Sequence, residues 1–213
     1  MRVSLIVQFT IFISLAGALS NVRAQCGEHS DLLIGRTGAG QLVLQNAEFS
    51  LDQVVLLCPV NGVLSGYSNG NPGFDAEEVV DDPGNDFFTL ESGAVVSIEA
   101  VSLAPAFKAW GPGLATLMDE AGESILLGDE GLHEHLTWHA DSNDPSFDPS
   151  QTHWVAQFKL VDTGSTGYAE SDVFELQFNN GLAVPAVSEW GIVLMVCGLL
   201  VAGTLAMRRT EVA

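Results

Sequence analysis

Residues 25–183 predict an all-β domain, and three features of the sequence carry that prediction. Short runs rich in Val, Ile, Leu and Phe alternate with Gly, Asn, Asp and Pro clusters, the punctuation of strands and turns. The runs recur about every ten residues, the spacing of an antiparallel β-sandwich. No helical periodicity of normal length interrupts them. The expected architecture is a jelly-roll or Ig-like antiparallel β-sandwich, with a partly closed barrel as the alternative.

Strands are predicted at residues 31–34, 41–45, 54–57, 87–90, 94–103, 107–110, 115–118, 124–127, 133–139, 153–161 and 173–178. Residues 37–40 (TGAG) and 120–123 (EAGE) read as hairpin loops. The Asn- and Gly-rich stretch 65–86 is too long for a hairpin turn and is expected to be the main irregular loop. DDPGND (81–86) and DSNDPSFD (141–148) lack the spacing of a calcium loop, so turn chemistry explains them better. Trp110, Trp138 and Trp154 could line a sugar-binding face, but Trp in a sandwich more often fills the core.

The ends follow different rules. Basic Arg2, an apolar run over residues 5–19 and the small residues before position 25 predict a signal peptide, residues 1–24, cleaved between Ala24 and Gln25. Residues 190–207 form an apolar stretch long enough to be a transmembrane helix. Arg208 and Arg209 follow at once and Trp190 stands at its start, an arrangement that leaves the arginines cytoplasmic and residues 25–183 outside. Cys197 falls among apolar residues and reads as a packing or lipid-facing side chain.

The chain carries a net charge of −20, with 27 carboxylates against 7 basic residues. Only Arg36, Lys108 and Lys159 of the basic residues, and all carboxylates but Glu189 and Glu211, fall in residues 25–183. Such a field repels phosphate backbones and excludes nucleic acid as a partner, while it draws cations. In an oxidising compartment Cys26 and Cys58 are free to pair, and a bridge closing a loop of about 30 residues contributes about 3 to 4 kcal/mol in the chain-entropy model.

All five histidines lie in the predicted exported domain, three of them in LHEHLTWHAD. On a continuous strand over 133–139, His133, His135 and His139 would share one face. His-x-His offers two imidazoles to one metal, and neutral ring nitrogens suit zinc or copper. His135 and His139 are about 13 Å apart along an extended strand, so a second segment must complete the set. His29 and Asp31, another x-spaced pair, are the leading candidates, and His153 is a weaker one. The expected metal set is therefore His29, Asp31, His133, His135 and His139, with Zn²⁺ the first ion to consider.

The Gly-x-Ser-x-Gly spacing occurs once, at residues 66–70 (GYSNG), but no helix pattern follows it to make a nucleophile elbow, and no His-Glu-x-x-His, Gly-x-x-x-x-Gly-Lys or Gly-x-Gly-x-x-Gly pattern occurs. The expectation is a non-enzymatic domain, with a structural or adhesive surface protein as the rival reading. A hydrolase is the lesser alternative, and would need two carboxylates converging in a pocket.

The octet VPAVSEWG, the apolar stretch and the arginine pair together resemble the IPTL-CTERM type of bacterial sorting signal, a relative of the PEP-CTERM signals. Pro185, Ser188, Glu189, Trp190 and Gly191 match the pattern; Val184, Ala186 and Val187 depart from it conservatively. The resemblance covers residues 184–213 and implies recognition by an exosortase-type membrane peptidase, with the domain retained at the membrane or sorted to the cell surface. NPGFDAE (71–77), the histidine segment and VFELQFNNG (173–181) also resemble secreted Zur-repressed PEP-CTERM proteins, which implies a β-rich fold linked to zinc.

Overall fold

A computed structural model describes residues 29–180, all within one compact unit of the chain. The expected signal peptide with its cleavage site at Ala24 and Gln25, Cys26, the octet expected to be a sorting motif (Pro185, Ser188, Glu189, Trp190, Gly191) and the apolar C-terminal stretch lie outside the described residues. Among the described residues no helix is long and apolar enough to cross a membrane.

Thirteen strands follow one another: β1 (Asp31–Arg36), β2 (Leu42–Asn46), β3 (Val54–Val60), β4 (Gly66–Asn69), β5 (Gly73–Asp75), β6 (Val95–Leu103), β7 (Phe107–Trp110), β8 (Leu117–Met118), β9 (Ser124–Asp129), β10 (His133–Glu134), β11 (Thr137–Asp141), β12 (His153–Asp162) and β13 (Phe174–Asn180). Single 3₁₀ turns at Gly62–Leu64 and Pro112–Leu114 are the only helical pieces among the described residues. The all-β expectation holds.

The strands form two sheets, one in the order β10-β5-β1-β2 and one in the order β8-β7-β11-β4-β3-β13-β12-β6-β9. They share one apolar core, to which Leu32, Ile34, Leu42 and Phe74 come from the small sheet and Trp138, Trp154, Phe158 and Phe178 from the large one. Two sheets over one core is sandwich character. The large sheet also curls until its end strands, β8 and β9, touch, as in the partly closed barrel.

Several expectations need correction. The sheets are mixed, since β1 pairs β5 and β13 pairs β3 in parallel. Stretch 65–86 is not irregular throughout, because it contains β4 and β5. Residues 120–123 do not close a hairpin: β8 pairs with β7 and β9 with β6, and the turn links the two ends of the large sheet. Residues 87–90 form no strand and make only isolated bridges, Phe88 with Arg36 and Phe87 with Asp82. The predicted strand 133–139 is two strands, β10 and β11, in different sheets.

Other local readings hold. The hairpin at 37–40 closes β1 onto β2, with Gly40 at φ 82°, a conformation that favours glycine. The acidic stretches are turns. Asp82 Oδ1 accepts the Gly84 amide at 3.1 Å, Asp144 Oδ1 accepts the Ser146 amide at 2.9 Å, and Asp148 Oδ1 accepts the Ser150 amide at 2.8 Å. Lys108 Nζ sits 3.0 Å from both Asp141 Oδ2 and Asp144 Oδ2, so part of this acidity is neutralised internally. Trp138 and Trp154 are buried in the core. Cys58, on β3, is disulfide-bonded.

Asp162, at the end of β12, gathers donors from Val95 N (3.1 Å) and Gly164 N (2.9 Å) on Oδ1, and from Thr166 Oγ1 (2.6 Å) and Tyr168 N (3.1 Å) on Oδ2. Partial burial pushes its carboxyl up, but these four donors outweigh it and hold the pKa at about 2 against an ordinary 3.8. The folded state thus releases this proton more readily than the unfolded chain. Its contribution is complete above about pH 4 and is lost as the pH falls toward 2. After discounting for solvent, Asp162→Asn is expected to cost about 1 to 2 kcal/mol at pH 7 and nearly nothing at pH 2, read from urea midpoints at the two pH values.

Candidate metal centre

The centre lies on the face of the small sheet turned away from the core. β5 runs between β1 and β10, with Asp31 opposite Gly73 and His133 opposite Asp75. Side chains alternate along a strand, so while Leu32, Ile34 and Phe74 enter the core, Asp31, Gly73, Asp75 and His133 share the other face. His29 continues the line of Asp31 two residues earlier, and His135 continues that of His133 two residues later. The x-spaced pairing read from the sequence is what brings the four together.

One ligand atom from each of His29, Asp31, His133 and His135 lies within 4.8 Å of the others. His135 Nε2 is 3.1 Å from His29 Nε2 and 3.3 Å from Asp31 Oδ1. His133 Nε2 is 3.6 Å from Asp31 Oδ2. Ligands around a tetrahedral zinc at about 2.0–2.2 Å stand about 3.3–3.5 Å apart, so the short spacings approach those of a coordination sphere, and the wider ones, up to 4.8 Å, would close on binding.

The outer contacts fix how the rings present themselves. His135 Nδ1 lies 2.8 Å from the carbonyl oxygen of Gly70, which can only accept, so in the neutral ring Nδ1 carries the proton and Nε2 turns its lone pair to the centre. His133 Nδ1 faces Asp75 Oδ2 at 3.3 Å, and Asp75 Oδ1 in turn accepts the Glu78 amide at 3.0 Å. A carboxylate or carbonyl behind each imidazole is the usual outer shell of a metal-bound histidine. His29 Nδ1 stands 3.4 Å from Asp31 Oδ2 and 3.6 Å from Glu48 Oε2.

Electrostatically the arrangement is incomplete. With Nδ1 of His135 committed as a donor, its Nε2 meets Asp31 Oδ1 acceptor to acceptor. That Asp31 oxygen is buried and has no hydrogen-bond partner among the described residues. A buried acceptor without a donor is costly, and a cation at this point satisfies it together with the ring lone pairs.

Space for an ion depends on Gly73. A Cβ there would collide with Asp31 Oδ1 and with the His135 ring. The neighbouring chain is pinned by Trp138, whose Nε1 donates to Pro72 O at 3.1 Å, and by Asn69, whose Nδ2 donates to Leu56 O at 2.7 Å. The Asn71–Pro72 peptide bond is cis.

His139 does not belong to this set, which corrects the expectation. The chain turns between β10 and β11, and β11 is a central strand of the large sheet, flanked by β7 and β4. There the His139 ring is fully buried, with Nδ1 accepting from Trp110 Nε1 at 3.4 Å and Nε2 donating to Ser65 O at 3.3 Å. Burial lowers its pKa below the ordinary 6.5 despite the nearby Asp141, so it is a neutral structural side chain. His153, at the exposed start of β12, also lies outside the cluster. The sequence reading missed Asp75, Glu48, Gly73 and the Gly70 carbonyl. Of these Gly73 and Asp75 left a trace, as part of the NPGFDAE run at residues 71–77, though not as members of the centre.

Comparison with protein-family models, with curated proteins and with solved structures finds no match.

Proposed function

We propose that this is an exported, non-enzymatic β-domain that binds one zinc or similar divalent ion through His29, Asp31, His133 and His135. One observation carries the reading: the buried Asp31 Oδ1, without a hydrogen-bond donor, and His135 Nε2 face each other at 3.3 Å, an arrangement that a shared cation relieves. Three nitrogens and one oxygen without a thiolate suit Zn²⁺, and also Cu²⁺, Ni²⁺ or Co²⁺. The acidic chain adds a general attraction for cations. The proposal extends to delivery: the N-terminal signal sends the domain across the membrane, Cys26 pairs with Cys58, and an exosortase-type peptidase acts on the octet around Trp190.

Elemental analysis of protein dialysed against zinc is expected to find one equivalent per chain. None would leave the structural or adhesive reading standing. The intact mass of protein from the producing cells is expected to lack residues 1–24 and the terminal Arg208 and Arg209. Retention of both arginines would refute processing.

A further inference from the structure

The five side chains around the centre are unequally exposed. Asp75 and Asp31 are 2% and 9% exposed, His135 and His133 are 30% and 39%, and His29 is 58%. The support behind them follows the same order. Asp31 lies in the β1 ladder, His133 is backed by Asp75, and His135 is backed by the Gly70 carbonyl. His29 precedes the first residue of β1, and besides Asp31 its Nδ1 faces Glu48, a side chain 65% exposed. Asp31, His133 and His135 therefore form a held half-site of two imidazoles and one carboxylate, and His29 closes it from the solvent side.

We infer that the centre is a carrier that passes its ion on through displacement of His29. This rests on the metal reading above. The acceptor is a chelating ligand with nitrogen and oxygen donors. One of its lone pairs bonds to the ion as the His29 Nε2 bond breaks, and no electron changes hands. The released imidazole keeps its lone pair, and Glu48 is placed to hold its Nδ1. The remaining bonds then exchange one at a time, so the ion is never bare. Four protein ligands are also what a structural zinc has; what favours transfer here is the unequal cover of the four, with His29 the most open.

The test uses the full chain in detergent, loaded with one equivalent of Zn²⁺ and mixed with excess 4-(2-pyridylazo)resorcinol, a chromophoric chelator. The transfer rate is expected to rise with chelator concentration. His29→Ala is expected to weaken zinc binding by about ten- to hundredfold, the gain appearing as faster release. In the Co²⁺-loaded His29→Ala chain, added imidazole is expected to restore the wild-type visible spectrum. A wild-type rate independent of chelator would overturn the inference. So would a His29→Ala chain that binds no zinc, or one whose affinity and rate are both unchanged. A wild-type chain that takes up no zinc refutes the metal reading itself, and is told apart by that first loading step.

Discussion

A chain carrying both His133→Ala and His135→Ala is expected to take up no stoichiometric metal, and Gly73→Ala is expected to lower affinity by at least about a hundredfold with every ligand residue retained. The first result follows from donor chemistry, since the pair supplies two of the four donor atoms. The second follows from space. β1 and β10 are separated by β5, so their backbones stand about 9–10 Å apart, two strand spacings. Residues on the outer strands meet only because the residue between them has no side chain. A Cβ at position 73 would lie against Asp31 Oδ1 and the His135 ring, which then have to part. Since Gly73 is in extended backbone that alanine adopts, the fold is expected to survive, with an unchanged far-UV spectrum. Equilibrium dialysis with Zn²⁺ checks both variants. Wild-type affinity in Gly73→Ala would show that the ion is held elsewhere.

The contrast shows what the sequence could and could not disclose. His-x-Asp and His-x-His were legible because alternation along a strand is a local rule that needs only three residues. Where those two pairs meet was not legible, because it depends on β5, a three-residue strand within an Asn- and Gly-rich stretch that reads as turn. Asp75 and Gly73 were hidden with it. His139 was assigned to the centre by carrying the same alternation too far. The rule holds from His133 to His135, but the chain leaves one sheet before Leu136 and joins another by Thr137. The long strands β6, β12 and β13 were recognisable because each buries an apolar face along most of its length. The two parallel pairings were not, since register and direction are set by tertiary packing rather than by pattern.

Trp138 ties the core to the centre, and Trp138→Ala is expected to cost about 3–5 kcal/mol of stability, the range for emptying a buried aromatic site. The side chain is fully buried, and its ring lies 5.5 Å from those of both Phe158 and Phe178 and 6.3 Å from that of Phe74. Phe74 is the core residue between Gly73 and Asp75, so the cavity opens directly beneath the strand that spaces the ligands. The lost indole N–H also strands the Pro72 carbonyl, a further loss of about 1 kcal/mol. Against a typical total of about 5–15 kcal/mol this is a large share. Trp138→Phe separates the two effects: it keeps most of the packing and removes only the donor, and is expected to cost about 1–2 kcal/mol. Urea unfolding followed by far-UV circular dichroism measures both variants. Because β5 rests on this ring, zinc affinity should fall in step with stability, more in the alanine than in the phenylalanine variant. A loss below about 1 kcal/mol in Trp138→Ala would contradict the packing argument. Unchanged zinc affinity in a destabilised Trp138→Ala chain would show that β5 holds its position without the core beneath it.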